Sequence, residues 1–182
     1  MARTLLILLG GLMFNSMVYA QPPLKLVESV DLDRYQGRWY EIALLPNRFQ
    51  RRCVSDTSAH YELMDDGRIR VTNRCREVGG SWAEVEGVAR LADSQGPSSA
   101  LEVRFAPRWL SFLPFVWGDY RVLALGADYD HAMVGSDNRR YLWILARSPE
   151  LEPAILERLR EQAAGQGFEV EKLEMTSHID DA

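Results

Sequence analysis

The alternation of apolar and polar positions predicts eight short β-strands in succession along most of the chain. Turn-forming residues separate the strands, and the clearest turn is Met64-Asp65-Asp66-Gly67, because Asp-Gly readily supplies positive φ. The pattern predicts no helix among the strands, which indicates an all-β, eight-stranded, up-and-down antiparallel barrel over about residues 37–147. The predicted strands are residues 39–44, 53–63, 68–76, 81–91, 101–105, 118–125, 131–136 and 140–146.

A single C-terminal α-helix is predicted after the eighth strand, at about residues 149–165. Pro149 and Pro153 mark its start, and Gly165 lies at its end. One face of this helix is apolar, so we expect it to pack on the outside of the barrel, although a partner-binding helix is an alternative. Residues 168–175 alternate again and predict a short final strand. The apolar positions of the helix are Ile155, Leu156, Leu159 and Ala163.

The interior of the predicted barrel has two interpretations. Counting by twos along the strands places aromatic and apolar residues on shared faces, together with a few polar groups. If these faces point inward, they form an apolar pocket whose sparse polar groups orient a small ligand. A filled core, in which the polar groups satisfy one another, is the alternative. The predicted lining comprises Glu41, Tyr61, Val71, Asn73, Tyr141, Trp143 and Leu145.

The first twenty residues have the composition of a secretory signal sequence, with cleavage predicted after Ala20, although a buried N-terminal helix is an alternative. They carry one Arg and no acidic residue. Residues 21–182, which we predict to form one domain, therefore carry 20 basic and 26 acidic side chains, a net charge of −6. This acidic balance argues against a nucleic-acid partner. No Cys lies near Ala20, so we expect an exported protein without a lipid-acceptor Cys.

The two cysteines, Cys53 and Cys75, flank the predicted hairpin around residues 64–67. An even number of cysteines in an exported chain predicts a disulfide. The alternative is a catalytic or metal-binding pair, but no His or carboxylate is spaced with them as a metal-ligand set. Closing this loop would stabilise the fold by roughly 3 kcal/mol.

Two aromatic segments, one at the start and one at the end of the predicted barrel region, are expected to contact each other. Gly37 allows a tight turn before Trp39, and Arg147 closes the last predicted strand. A guanidinium over an indole face contributes roughly 1–2 kcal/mol when it is desolvated. We therefore expect Arg147 to join the first and last strands at one end of the barrel.

These residues resemble the lipocalin family over about residues 28–176. The resemblance rests on residues 33–43, the 61–73 hairpin and residues 141–147, and is closest to bacterial lipocalins of the outer-membrane lipoprotein type and to apolipoprotein D. The family's middle signature is degraded at residues 126–129, which leaves the register of the sixth and seventh strands open. The resemblance implies a calyx with one open mouth, in which Tyr61, Asn73 and Trp143 match cavity-facing positions. It further implies a periplasmic carrier of a fatty acid or lysophospholipid that serves envelope maintenance.

An apolar segment between the fifth and sixth predicted strands indicates contact with a membrane surface. In a lipocalin this loop lies at the open mouth, beside a first loop that carries Phe49, Arg51 and Arg52. Aromatic rings next to cations suit transient contact with an anionic membrane, so a peripheral place at the outer membrane is expected. A lid over the mouth and a homodimer surface are the alternatives. The aromatic residues of this loop are Trp109, Phe112, Phe115 and Trp117.

Other functions find little support in the sequence. No catalytic constellation, metal-ligand set or cofactor motif is visible, so we expect neither enzyme activity nor a cofactor. A lone inward Glu41 is expected to pair with another side chain, for which Arg121 is the candidate. The alternatives to a lipid carrier are a lipocalin-type enzyme acting on a lipophilic substrate and a ligand-free interaction protein.

Overall fold

A computed structural model describes residues 21–179, so the predicted signal sequence lies outside the described residues. The fold is a barrel of short antiparallel strands, with a short helix before the first strand and a longer helix after the eighth. The helices are α1 (Leu32–Tyr35) and α2 (Pro153–Gly165). The strands are β1 (Gly37–Leu44), β2 (Cys53–Leu63), β3 (Ile69–Glu77), β4 (Trp82–Leu91), β5 (Ala100–Arg104), β6 (Gly118–Leu125), β7 (His131–Gly135), β8 (Leu142–Ala146) and β9 (Glu174–Met175).

Strands β1 to β8 pair in chain order, and the sheet closes because β1 pairs with both β2 and β8. Trp39 lies opposite Ala59 on β2, and Glu41 lies opposite Leu145 on β8. Every pairing is antiparallel. The predicted eight-stranded up-and-down barrel is thereby confirmed.

The helix α2 packs outside the barrel, as predicted, but it begins at Pro153 and not near residue 149. Proline suits the first helical position because that position needs no N–H donor, so the helix starts there. Leu159 and Ala163 are buried against the outer faces of the strands. Gln162 adds a hydrogen bond of 2.9 Å from its amide to the Leu123 carbonyl.

The predicted final strand at residues 168–175 is wrong for most of its length. Phe168 and Val170 are buried beneath α2, and Val170–Lys172 forms a 3-10 turn. Burying these side chains in the layer under the helix takes the backbone out of the sheet plane. Strand structure is restricted to β9, whose two residues pair with the second half of β1 at Ala43 and Leu44.

A seam opens between β1 and β2 toward one end of the barrel. The pairing of β1 with β2 extends only from Gly37 to Tyr40, and β2 has a register shift near Asp56, whose φ is 56°. The chain after β9 fills the gap. The Asp56 N–H donates to the Ser177 carbonyl at 2.9 Å, and the Asp56 carboxylate accepts from the Ile179 N–H at 2.8 Å. The C-terminal segment 174–179 therefore completes the wall.

The opposite end of the barrel is closed by α1 and the signature pair. The Arg147 guanidinium lies 4.0 Å from the centre of the buried Trp39 ring. It donates to the carbonyls of Arg34, Arg38 and Tyr129 at 2.8, 2.9 and 3.2 Å. A Cβ at Gly37, where φ is 91°, would come within 3.3 Å of this guanidinium. One side chain thus ties β8 to β1, α1 and the β6–β7 turn.

The disulfide prediction is confirmed. Cys53, at the start of β2, is bonded to Cys75 on β3, with their Cα atoms 5.5 Å apart. The bond spans the two strands at the end of the barrel away from α1, where the register shifts of β2 weaken its pairing with β3.

Candidate functional site

The mouth of the barrel lies at the end opposite α1. Strand β1 runs away from α1, so in an up-and-down barrel the connections after β1, β3, β5 and β7 all lie at the far end. These are residues 45–52, 78–81, 105–117 and 136–141. The two loops whose aromatic residues were singled out from the sequence therefore share this end.

The half of the interior next to α1 is filled with side chains. Tyr61, Val71 and Leu145 are buried there in one cluster with Trp39 and Tyr120. The Tyr120 hydroxyl lies 2.9 Å from both the Tyr35 and the Tyr61 hydroxyls. Burial raises the pKa of Tyr61 to about 12, so the phenol stays neutral. Tyr61 therefore belongs to the cluster of buried side chains that closes the barrel interior next to α1, which we call the sealed floor, and its hydroxyl is bonded to Tyr120.

The half of the interior next to the mouth is open. Asn73 and Val85 pair across β3 and β4, two positions beyond the inward pair of Val71 and Gly87, so both face inward. Val85 is nonetheless 47% exposed, and Asn73 is half-buried. An inward side chain in a closed barrel contacts solvent only when the lumen is accessible. The barrel is therefore a cup with a filled base and an accessible upper lumen.

Phe105 lines this upper lumen just beyond β5. A Cβ on Gly87 would lie 2.6 Å from the Phe105 ring, which shows that the ring lies against the inner surface of β4. Phe105 is 39% exposed. Together with Val85 it gives the lumen an apolar wall on this side.

A glutamine from the first mouth loop reaches into the lumen and bonds two of the predicted lining residues. The Gln50 amide N–H donates to the Glu41 carboxylate at 2.6 Å, and its carbonyl accepts from the Trp143 indole N–H at 2.9 Å. Asn47 donates to the same carbonyl at 2.9 Å. The Trp143 N–H is thus occupied by Gln50, a residue that the sequence analysis did not identify.

Glu41 is 4% exposed and also accepts a hydrogen bond of 2.7 Å from the Thr176 hydroxyl in the seam segment. Burial raises the pKa of this carboxyl and outweighs the lowering effect of its hydrogen bonds. The predicted partner Arg121 is wrong. Arg121 alternates with the inward Tyr120 and faces outward, where it binds Asp137 at 2.8 Å.

The remaining predicted lining residues lie near the mouth. Tyr141 stacks on Trp143 with the ring centres 5.9 Å apart, and Phe49 contacts Tyr141 from the first loop at 5.7 Å. Asn73 makes no side-chain hydrogen bond within residues 21–179 and faces the accessible lumen. The structure therefore brings Glu41, Trp143 and Tyr141 together on one side, with Asn73 across strands β1 and β2 from them.

The aromatic loop at residues 105–117 divides into two parts. Trp109, Phe112 and Phe115 are 73%, 76% and 80% exposed. Trp117 is half-buried, donates its N–H to the Ser111 carbonyl at 2.9 Å and lies 3.9 Å beneath the Arg90 guanidinium. Trp117 therefore holds the loop against the barrel wall, while the other three rings project into solvent.

The histidines lie outside the lumen. His60 is exposed on the outer face of β2, His131 bonds Asp130 at 2.8 Å, and His178 bonds the Glu41 carbonyl at 2.8 Å. Within residues 21–179 no group of three or more His, Cys, Asp or Glu side chains is arranged to hold a metal ion. No helix in this part of the chain has the length and apolar character to cross a membrane.

Comparison with known proteins gives similar sequences from several kingdoms. Residues 30–178 match the family described as the lipocalin-like domain. The chain is 40% identical to temperature-induced lipocalin-1 of Arabidopsis thaliana over 86% of its own length and 84% of that protein. It is 37% identical to the outer membrane lipoprotein Blc of Escherichia coli K12 (80% and 78% covered) and 31% identical to mouse apolipoprotein D (85% and 79% covered).

Solved structures with the same fold are more distant in sequence. Insecticyanin from the tobacco hornworm Manduca sexta superposes with a TM-score of 0.65 at 21% identity, covering 90% of this chain and 88% of that one. Apocrustacyanin C1 superposes with a TM-score of 0.64 at 16% identity, covering 87% and 91%. At these identities the structures support the barrel fold.

Proposed function

This chain belongs to the lipocalin family, and from that premise we propose that it carries a single-chain lipid, a fatty acid or lysophospholipid, in the upper lumen of the barrel. The family and the barrel fold support carriage of a small hydrophobic ligand. The observation that supports a fatty acid or lysophospholipid as the ligand is the accessible apolar lumen above a sealed floor. A cup of this kind suits a molecule with one long apolar end.

The charges of the lumen favour one orientation of the lipid. None of the inward positions of β1–β8 carries Arg or Lys, and the inward acid Glu41 already resists ionisation because it is buried. An anionic head group would lose its hydration in the lumen and find no cation there. We therefore expect the head group to stay at the mouth, near Arg51 and Arg52, while the chain enters first.

The lining residues then have separate roles along the chain of the lipid. Asn73, Trp143 and Tyr141 line its path near the mouth. Val71, Leu145 and Tyr61 form the surface against which its end packs. Gln50 must give way or rearrange, since its side chain crosses the upper lumen between Glu41 and Trp143.

We expect the lipid to enter and leave at a membrane. Trp109, Phe112 and Phe115 project from the same end as Phe49, whose ring is also exposed, and Arg51 and Arg52 are exposed beside them. Aromatic rings next to cations suit the head-group boundary of an anionic bilayer. Rings that project into solvent support this contact more than a closed lid. A homodimer surface is the other outcome that the test below distinguishes.

The proposed place of action is the bacterial envelope. The predicted signal sequence and the similarity to relatives named outer membrane lipoprotein Blc both support export. The sequence contains two cysteines, and the disulfide uses both. We propose a periplasmic carrier whose membrane contact is transient.

Filling the lumen tests the carrier directly. Val85→Trp places a large ring in the accessible lumen, whereas Val78→Trp places the same ring on an exposed mouth loop and serves as the matched control. Calorimetric titration with oleate and with lysophosphatidylcholine should show at least a tenfold loss of affinity for Val85→Trp and none for Val78→Trp. Equal affinity for Val85→Trp and wild type would contradict a lumen site. Failure of the wild type to bind either lipid would favour a ligand-free interaction protein.

Quenching of tryptophan fluorescence tests the position of the lipid. If the chain passes Trp143, adding lipid should quench its emission, and Trp143→Phe should remove that part of the signal. An unchanged quenching signal in Trp143→Phe would move the site elsewhere, most simply to the loop of Trp109.

Flotation with anionic liposomes tests the membrane contact. Replacing Trp109, Phe112 and Phe115 by Ser should abolish co-flotation and slow lipid transfer, with equilibrium lipid binding retained. Val54→Ser removes an apolar side chain of β2 that is 54% exposed and should float as the wild type does. If the triple variant floats normally, the loop is a lid or a dimer surface, and analytical ultracentrifugation separates those two.

A further inference from the structure

A second candidate site lies on the outside of the barrel, separated from the lumen by the wall of the sheet. It is a groove of about 250 Å³ where strands β1 to β4 face the C-terminal segment. The side chains that matter for its chemistry are Arg38, Tyr40, Ser58, Arg74, Trp82 and His178.

Strand register explains why these side chains meet. Tyr40 lies opposite Ser58 on β2, and Ser58 lies opposite Arg74 on β3, so the three form a row across the strands. Arg38 is two residues before Tyr40 and shares its outward face, because Trp39 between them points into the core. Strand register therefore brings these four side chains to one outer face of the sheet, beside the seam at Asp56.

Two cations of this groove lack an acidic partner in the described part of the chain. Neither Arg38 nor Arg74 has a carboxylate oxygen within 4.0 Å there, although Glu84 lies opposite Arg74 in register. Asp56, which also lines the groove, is bonded to Arg76 at 3.1 Å and to the Ile179 N–H. A pair of such arginines is notable in a chain whose net charge is −5.

Neighbouring groups add position and further donors. The Arg74 guanidinium lies 3.7 Å from the centre of the Trp82 ring, which limits its rotation and leaves its N–H edge for a ligand. The Tyr40 and Ser58 hydroxyls make no side-chain hydrogen bond to any residue between 21 and 179. His178 adds an imidazole to the lining, held in place by its bond of 2.8 Å to the Glu41 carbonyl.

We propose that this groove binds a phosphate monoester. Two arginines, a tyrosine and a serine line a space large enough for a phosphate with a small attached group, and a dianion offers several acceptor oxygens to their N–H and O–H groups. The phosphate belongs either to a soluble ester or to the head group of a membrane lipid. The site does not depend on the proposed lumen ligand, since the two lie on opposite sides of the barrel wall.

Calorimetric titration with glycerol 3-phosphate at low ionic strength tests the soluble source. The expected result is binding of one molecule per chain, weakened at least tenfold in Arg38→Gln/Arg74→Gln and unchanged in Arg140→Gln. Arg140 is a matched control because it is an exposed arginine at the mouth with no side-chain partner among residues 21–179. Asp180 and Asp181 follow Ile179 in the sequence, so the titration is repeated on Asp180→Asn/Asp181→Asn, which lacks these two carboxylates.

Flotation with vesicles containing phosphatidic acid tests the lipid source. It is done in the Trp109, Phe112 and Phe115 to Ser background, so that contact by the mouth loop does not contribute. Flotation that Arg38→Gln/Arg74→Gln abolishes and Arg140→Gln retains would assign the phosphate to a lipid. The proposal is overturned if neither probe binds, with or without Asp180 and Asp181, or if the double Gln variant binds as wild type does. A far-UV circular dichroism spectrum and a urea midpoint like those of the wild type show that this variant is folded.

Discussion

Arg147→Lys is the substitution that most directly tests how the barrel is closed. It keeps the positive charge at the end of β8 but replaces a planar fork with a single ammonium group. In the structure the fork donates to three backbone carbonyls and stacks on Trp39 at 4.0 Å. These carbonyls belong to α1, β1 and the β6–β7 turn, so losing the hydrogen bonds to them loosens the attachment of three elements to β8.

The magnitude follows from these contacts. A lysine at position 147 can keep one of the three hydrogen bonds, and each lost bond costs about 1 kcal/mol net at a partly exposed site. Losing the planar stacking on Trp39 costs about 0.5–1 kcal/mol more. We therefore expect Arg147→Lys to lower the free energy of unfolding by about 2–3 kcal/mol. Arg140→Lys, an exposed arginine without such contacts, should change it by less than about 0.5 kcal/mol.

Urea denaturation followed by far-UV circular dichroism measures these differences without relying on a tryptophan signal. A double-mutant cycle with Trp39→Leu then separates the stacking from the hydrogen bonds, and a coupling energy of about 1 kcal/mol is expected for residues in contact. The reasoning is refuted if Arg147→Lys unfolds within about 0.5 kcal/mol of the wild type.

Three further predictions concern stability. Trp39→Ala removes a fully buried ring and should cost about 3–5 kcal/mol in urea denaturation, so a melting temperature like that of the wild type would contradict the described closure. Cys53→Ser/Cys75→Ser should cost roughly 3 kcal/mol, and thiol titration of the denatured, unreduced wild type should find no free thiol. Because burial raises the pKa of Glu41, the folded state holds more protons than the unfolded state, and wild-type stability should fall as the pH rises above the ordinary Glu pKa of about 4.3. Glu41→Gln should flatten that fall, and equal slopes for the two proteins would show that Glu41 ionises freely.

Local pattern was enough to predict most of the barrel. Alternation with a period of two depends on neighbouring residues alone, so the bounds that it predicted for β2 and β6 are the same as those in the structure. The turn at residues 64–67 and the disulfide follow from equally local evidence. The closed end was predictable because its two signatures are themselves specific.

Long-range contacts account for what the sequence could not predict. Gln50 meets Trp143 across 93 positions, and a glutamine in a polar loop carries no signal of that contact. The pairing of Glu41 with Arg121 was wrong because the degraded turn left the register of β6 open. The seam depends on the backbone at Asp56, whose positive φ no local pattern required.

The seam also determines the order in which this barrel can form. Strand β1 needs β8 and β9 as partners, and these strands are separated from it by roughly a hundred residues or more of sequence. During synthesis or export, one edge of β1 therefore stays unpaired until β8 and β9 are present. Pairing β1 with β8 and β9 closes a very long loop, and the entropy cost of this closure precedes the contacts that offset it. Contacts between residues so far apart in sequence predict slow folding. A chain cut before Glu174 would keep most of its strands and still lack the piece that seals its wall.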